Sequence, residues 1–158
     1  VNPKKRHRKR SGDIFVPSLE LCLVSPSAVM IRRKLFDEVG RFDENLPACE
    51  DYDLWLRISC RYPVYLSDTA LIIKHGGHDD QLSRAPGLDR YRVAALKKLI
   101  DTGGLTDYQV KKAVDMLQAK CAVYAAGCRK RGKRTEARKY EQLATDYRPR
   151  TIYTQMPP

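Results

Sequence analysis

The apolar positions of this chain change their period near residue 88, and the change divides the sequence into two differently built parts. Upstream, the apolar runs are short. Leu19–Val24 and Ala28–Ile31 read as two strands separated by Ser25-Pro26-Ser27, a turn signal. Arg33–Val39 reads as a short helix closed by Gly40, where a left-handed C-cap is wanted. Phe42–Pro47 is turn-rich and acidic. A helix is predicted from about Glu50 to Arg61, followed by strands at Val64–Ser67 and Ala70–Lys74. The stretch His75-Gly76-Gly77-His78-Asp79-Asp80 reads as an exposed, mobile loop, and residues 1–18, polar and basic, as a loop or linker.

Downstream the pattern is helical. Leu88, Tyr91, Ala95, Leu99 and Thr102 recur at three- and four-residue spacing until Gly103-Gly104 stops the helix. Thr106 and Gln109 then form a capping-box pattern, with the hydroxyl at the cap and the amide three residues later. The next helix carries Val110, Ala113, Val114, Leu117, Cys121, Tyr124 and Cys128 on one stripe and ends near Gly132. A last helix, about Thr135–Tyr147, offers Ala137, Tyr140, Ala144 and Tyr147 as its buried face. These two predict an antiparallel hairpin joined by a short basic turn.

Composition adds bounds. A chain of 158 residues suits one domain with a real core, and 42% hydrophobic with 31% charged residues is ordinary for a globular protein. No apolar run approaches a membrane span, and no secretory signal opens the sequence. Val1 stands where an initiator Met would be, within a basic run, so the chain reads as a stretch of something longer. The net charge of +11 concentrates in Lys4–Arg10 and Arg129–Lys139. The first run holds no aromatic for base stacking, so solvated basic segments are expected and nucleic acid is not the expected partner. A membrane surface or a phosphorylated sugar donor would be drawn to the same charge. A basic nucleic-acid-binding or protein-interaction module is the rival reading. Five cysteines without a CxxC pair argue against a disulfide framework or structural zinc, and for a reducing, cytoplasmic setting.

Two stretches could carry chemistry. In Cys49-Glu50-Asp51-Tyr52-Asp53-Leu54-Trp55-Leu56-Arg57, three carboxylates open a helix, as its macrodipole favours, and Asp53 and Arg57 make an i,i+4 pair. A structural acidic first turn accounts for this as well as a catalytic site does. Tyr52 and Trp55 tip the balance, because aromatic neighbours can desolvate a carboxylate and offer ring faces to a sugar. Asp51-Tyr52-Asp53 spells the Asp-x-Asp of nucleotide-sugar metal sites, but Leu46-Pro47-Ala48-Cys49 precedes it and a helix follows, whereas such a site needs a strand end. The second stretch runs from Lys74 to Arg84. His75 and His78 could ligate a divalent cation together with Asp79 or Asp80, and Arg84, with Ser83 beside it, could contact a phosphate.

In this order, the small-residue run Ser27–Arg32, then Phe36-Asp37-Glu38-Val39-Gly40-Arg41-Phe42-Asp43-Glu44, then Glu50–Arg57 resembles the family 2 glycosyltransferases of the GT-A fold. The resemblance covers about residues 13–84. It implies an α/β class, here an α+β fragment: residues 1–84 as the C-terminal, acceptor-side part of an incomplete GT-A fold, 85–150 as a helical extension, and 151–158 as a tail. It implies inverting transfer from a nucleoside-diphosphate sugar to a hydroxyl of a saccharide, lipid-linked or small-molecule acceptor. Asp51 matches the family's general base and Glu50 its acidic neighbour; Tyr52 and Trp55 would contact the acceptor. The His75–Arg84 loop would give one histidine, His75 or His78, to a Mg or Mn ion held mainly by an N-terminal half outside this chain. Ser83 and Arg84 would face the donor diphosphate. The setting implied is cytoplasmic, with peripheral contact at the inner face of the membrane.

Overall fold

The protein is described by a computed structural model that places residues 10–73 and 86–147. Among these residues the structure is helical. Helix α1 spans Phe15–Glu20, α2 Lys34–Val39, α3 Glu50–Ser59, α4 Asp89–Thr102, α5 Asp107–Lys130 and α6 Arg134–Asp146. A single 3-10 turn lies at Pro26–Ala28.

The strands predicted upstream are therefore corrected. Leu19, predicted to open a strand, instead lies in the last turn of α1, and the linker predicted through residue 18 carries Ile14, Phe15 and Ser18 into the interior. Phe15 and Leu19 are four apart, which is helical spacing, and Pro17 sits in the first turn, where its missing N–H is not needed. A run of five or six apolar residues does not fix its own period, so the packing partner decides it. Val29 is extended but follows the 3-10 turn as coil. Of Val64–Ser67 only Val64 pairs, in an isolated bridge to Gly12 with N···O distances of 2.8 and 2.9 Å. Residues 70–73 are irregular, and the expected α/β sheet is absent from the described residues. A strand needs a neighbour for its row of N–H and C=O groups, and among these residues the one such backbone pairing is that of Val64 with Gly12.

The remaining elements follow their sequence signals. Gly40, at φ 79°, closes α2 and returns its N–H to Phe36 O at 3.0 Å. Gly103 closes α4 in the same left-handed region. At the head of α5, Gln109 N–H donates to Thr106 Oγ1 at 3.3 Å while Thr106 N–H donates to Gln109 Oε1 at 3.0 Å. The α5–α6 hairpin forms as predicted, with the Tyr124 and Tyr140 rings 4.4 Å apart and Gln118 Nε2 bonded to the carbonyls of Ala144 and Tyr147.

Helix α3 is the centre. Tyr52, Asp53, Leu54, Trp55, Leu56, Ile58 and Ser59 are all buried, so it is enclosed on nearly every side. Phe15 and Leu19 of α1, Leu56 of α3, Leu96 and Leu99 of α4, and Leu117 of α5 share one apolar cluster. Residues on both sides of position 84 thus bury one another. Leu54, Trp55 and Ile58 pack on α2 through Phe36 and Val39.

Candidate functional site at the start of helix α3

The chain enters α3 through Cys49, whose φ of 63° makes it the one non-glycine with positive φ among the described residues. A left-handed residue of this kind costs roughly 1–2 kcal/mol, so its surroundings must hold it. Ala48 before it is buried, and Cys49 Sγ lies 3.9 Å from Leu88 O at the head of α4. The abrupt turn makes Glu50 and Asp51 the first two helical residues, where free N–H groups and the positive end of the dipole favour carboxylates.

Asp51 is held on both oxygens. Its Oδ1 accepts from the Tyr52 N–H at 2.7 Å, and its Oδ2 lies 3.5 Å from Cys22 Sγ, which is also 3.3 Å from Val24 O. Burial first, and the Asp51 carboxylate second, push the Cys22 thiol up to about 12 from its ordinary 9.0. The sulfur therefore keeps its proton and stands as a donor. Asp51 remains half-buried, within reach of an incoming group. Glu50 is half-buried beside it and makes no hydrogen bond or ion pair among the described residues.

Asp53 serves a different purpose. Two residues further on, it projects roughly 200° around the helix from Asp51. It is 1% exposed, and Oδ2 takes two bonds from Arg57, at 3.0 Å from Nε and 2.8 Å from Nη2. Lys98 Nζ of α4 reaches Oδ1 at 2.8 Å and Asp43 Oδ2 at 2.7 Å. Arg57 goes on to the carbonyls of Val39 and Arg41, tying the end of α2 to α3. The carboxylate of the apparent Asp-x-Asp is thus consumed by two cations inside the fold. Among the described residues no three His, Cys, Asp or Glu side chains gather as a metal cage.

Tyr52 and Trp55, expected to contact the acceptor, are both buried. Tyr52 is 1% exposed, its hydroxyl donates to Leu19 O at 2.6 Å, and burial drives its pKa far above the usual phenol range. Trp55 is 4% exposed. A helix enclosed on nearly every side spends its aromatics on packing. Phe42, 40% exposed, instead meets the Trp55 ring edge-on at 6.4 Å, and Trp55 lies one turn beyond Asp51 on the same side of α3. His75, His78, Ser83 and Arg84 lie outside the described residues.

Sequence reasoning missed Cys22, Cys49, Phe42 and Lys98. Cys22 and Asp51 are 29 residues apart, and no local spacing links them. Lys120 is a further buried group at this end, its Nζ donating to Glu20 O at 3.0 Å and lying 6.0 Å from the Tyr52 ring centre; burial lowers its pKa.

A sequence profile described as glycosyltransferase like family 2 matches residues 11–98, more than half of the chain. The chain belongs to that family. The match takes in α1, α2, the α3 site and the first ten residues of α4. An uncharacterized glycosyltransferase of Rickettsia typhi is 36% identical over 81 residues, 51% of this chain and 25% of that protein. Uncharacterized glycosyltransferases of Rickettsia felis and Rickettsia bellii are 37% and 39% identical over 62 residues, 39% of this chain and 10% and 9% of theirs. This family 2 chain therefore spans a quarter or less of these relatives' length. No solved structure matches it.

Proposed function

We propose that this chain supplies the acceptor side of an inverting sugar transfer from a nucleoside-diphosphate sugar to an acceptor hydroxyl, with Asp51 as the general base. One observation carries the reading: within the family-matching stretch, a half-buried carboxylate stands at the positive end of a helix with both its oxygens held. The acceptor hydroxyl gives its proton to Asp51 as its oxygen bonds to the anomeric carbon. The bond from that carbon to the diphosphate breaks on the opposite face, and the leaving group departs with the electron pair. The Tyr52 N–H and the Cys22 thiol fix the carboxylate plane and leave lone pairs for the incoming proton. Glu50 orients the acceptor, and Phe42, backed by Trp55, provides the exposed aromatic surface expected for it.

The donor side lies with residues outside those described. Ser83 and Arg84 would contact the diphosphate, and a Mg or Mn ion, with His75 or His78 as one ligand, would offset its charge. Among the described residues no metal cage gathers, and their part in this proposal is proton transfer by Asp51 and acceptor placement by Glu50. A complete GT-A fold, and a cytoplasmic setting at the inner face of the membrane, belong to the same proposal. No helix among the described residues is long and apolar enough to cross a membrane.

The test is Asp51→Asn in the longer protein that contains this stretch. Turnover should fall about 10²- to 10⁴-fold, the usual worth of a general base, while donor affinity and the melting temperature stay near the wild type. Full turnover in a folded Asp51→Asn variant would overturn the assignment.

A further inference from the structure

The tip of the α5–α6 hairpin carries positive charge that the fold does not use. Between Arg129 and Lys139 there are seven Lys and Arg residues and one acid, Glu136. Arg129 pairs with Glu141 at 2.7 Å, and Lys133 lies 3.9 Å from Glu136. Lys130, Arg131, Arg134, Arg138 and Lys139 are exposed and form no ion pair among the described residues.

Helix electrostatics accounts for only part of this. Arg129 and Lys130, in the last turn of α5, complement the negative end of its dipole. Lys133 and Arg134 sit at the start of α6, the positive end, where cations are disfavoured. The local field is felt by Glu136, whose pKa is lowered by the Tyr124 hydroxyl first and then by Lys133, Arg90 and Arg131. Arg90, from the head of α4, thus faces the same region.

The tip also lies at a defined end of the molecule. A Cβ on Gly87 would stand 3.5 Å from the Tyr124 ring, so the C-terminal half of α5 runs beside the start of α4. That start meets Cys49 through Leu88. Lys120 reaches the end of α1 at Glu20, and Cys22, two residues further on, touches Asp51. From Lys120 to Lys130 at the tip the helix advances about 15 Å.

We propose that this basic tip docks on the anionic surface of a phospholipid bilayer. A convex end built from two helix termini meets a broad surface well, whereas a nucleic-acid backbone is neutralised along an extended face. Residues 129–139 hold no aromatic for base stacking and no large exposed apolar side chain, so the contact is electrostatic and reversible. Docked in this way, the start of α3 lies close to the headgroups, which suits a lipid-borne acceptor; that consequence rests on the reading of Asp51 above.

The 158-residue chain is tested by co-sedimentation with phosphatidylcholine vesicles, with and without phosphatidylserine, at low and high salt. Binding should require phosphatidylserine and be lost at high salt. The triple variant Lys130→Gln, Arg134→Gln, Arg138→Gln should weaken it roughly 100-fold, at about 1 kcal/mol per cation near such a surface. The control Arg32→Gln, Arg33→Gln, Lys111→Gln, equal in charge, should retain most of it. Asp51→Asn should bind as the wild type does, which separates docking from catalysis. Wild-type binding by the tip variant would assign the contact elsewhere, such as Lys4–Arg10, and overturn the proposal. So would indifference to phosphatidylserine, or tip-dependent binding to a single-stranded RNA that is tighter than binding to vesicles.

Discussion

Asp51 and Cys22 form a carboxylate–thiol contact in which the carboxylate helps to keep the thiol protonated. The Cys22 thiol is raised to about 12 from 9.0, chiefly by burial and next by the Asp51 charge. Below pH 9 the thiol is protonated in both folded and unfolded chains, and its contribution to stability is fully present. Between pH 9 and 12 the unfolded chain releases the proton while the folded chain keeps it, so stability falls as pH rises through that window. Asp51→Asn removes the charge and keeps the shape. It should lower the Cys22 pKa, yet leave it above the ordinary value, because burial is the larger cause. Alkylation at Cys22, followed by mass spectrometry across alkaline pH, should then be faster in the variant at the same pH. Equal rates would show that the two groups do not face each other in solution. Asp51 was legible in the sequence as the second acid of an acidic first turn. Its thiol partner was not, since only the packing of α1 beside α3 brings position 22 to position 51.

At the scale of the element, legibility followed length. Helices α4, α5 and α6 repeat their apolar spacing over three or more turns, and each appeared close to where it was predicted. The Thr106–Gln109 box was readable because both halves of its bond pattern lie within four residues. Thr106→Ala removes the acceptor of the Gln109 N–H and should cost about 1 kcal/mol, visible as a lower midpoint in urea with an unchanged slope. An unaltered midpoint would mean that water replaces the hydroxyl without loss. Short elements were read less well. Of the predicted strand at Leu19–Val24, Leu19 and Glu20 became the end of α1 and the rest is irregular, because Phe15 and Leu19 join the apolar cluster with α3, α4 and α5, a fact of tertiary packing that six residues do not encode. Tyr52 and Trp55 are buried for a related reason. Their type suited sugar binding, but on a helix enclosed on nearly every side they became core. Asp53 shows the same logic in a charged residue: inside that enclosure it needed Arg57 and Lys98, and Lys98 lies 45 positions away.

For the whole molecule, the change of period near residue 88 suggested an upstream catalytic piece and a downstream helical extension. The core crosses that line. Phe15, Leu19 and Leu56 pack on Leu96, Leu99 and Leu117, and Lys120 of α5 bonds to the carbonyl that ends α1. Gln109 of α5 likewise donates to Cys60 O, just past the end of α3, at 2.9 Å. A chain ending at Gly104 would keep α1 to α4 but would uncover Leu19, Leu96 and Leu99 along the face that α5 covers. Losing that face removes roughly 1.5–3 kcal/mol for each large side chain returned to water, several times over, against a typical total stability of about 5–15 kcal/mol. Residues 1–104 alone are therefore expected to show no cooperative unfolding transition and to bind a hydrophobic dye, while the 158-residue chain unfolds in one step. A truncated chain that melts cooperatively, near the midpoint of the whole, would show the two parts to be independent. The start of α3 is held by Cys22, just past α1, and by Leu88 at the head of α4, and α1 and α4 both pack on α5, so loss of folding in the truncated chain would make the site's geometry depend on the helices that follow it.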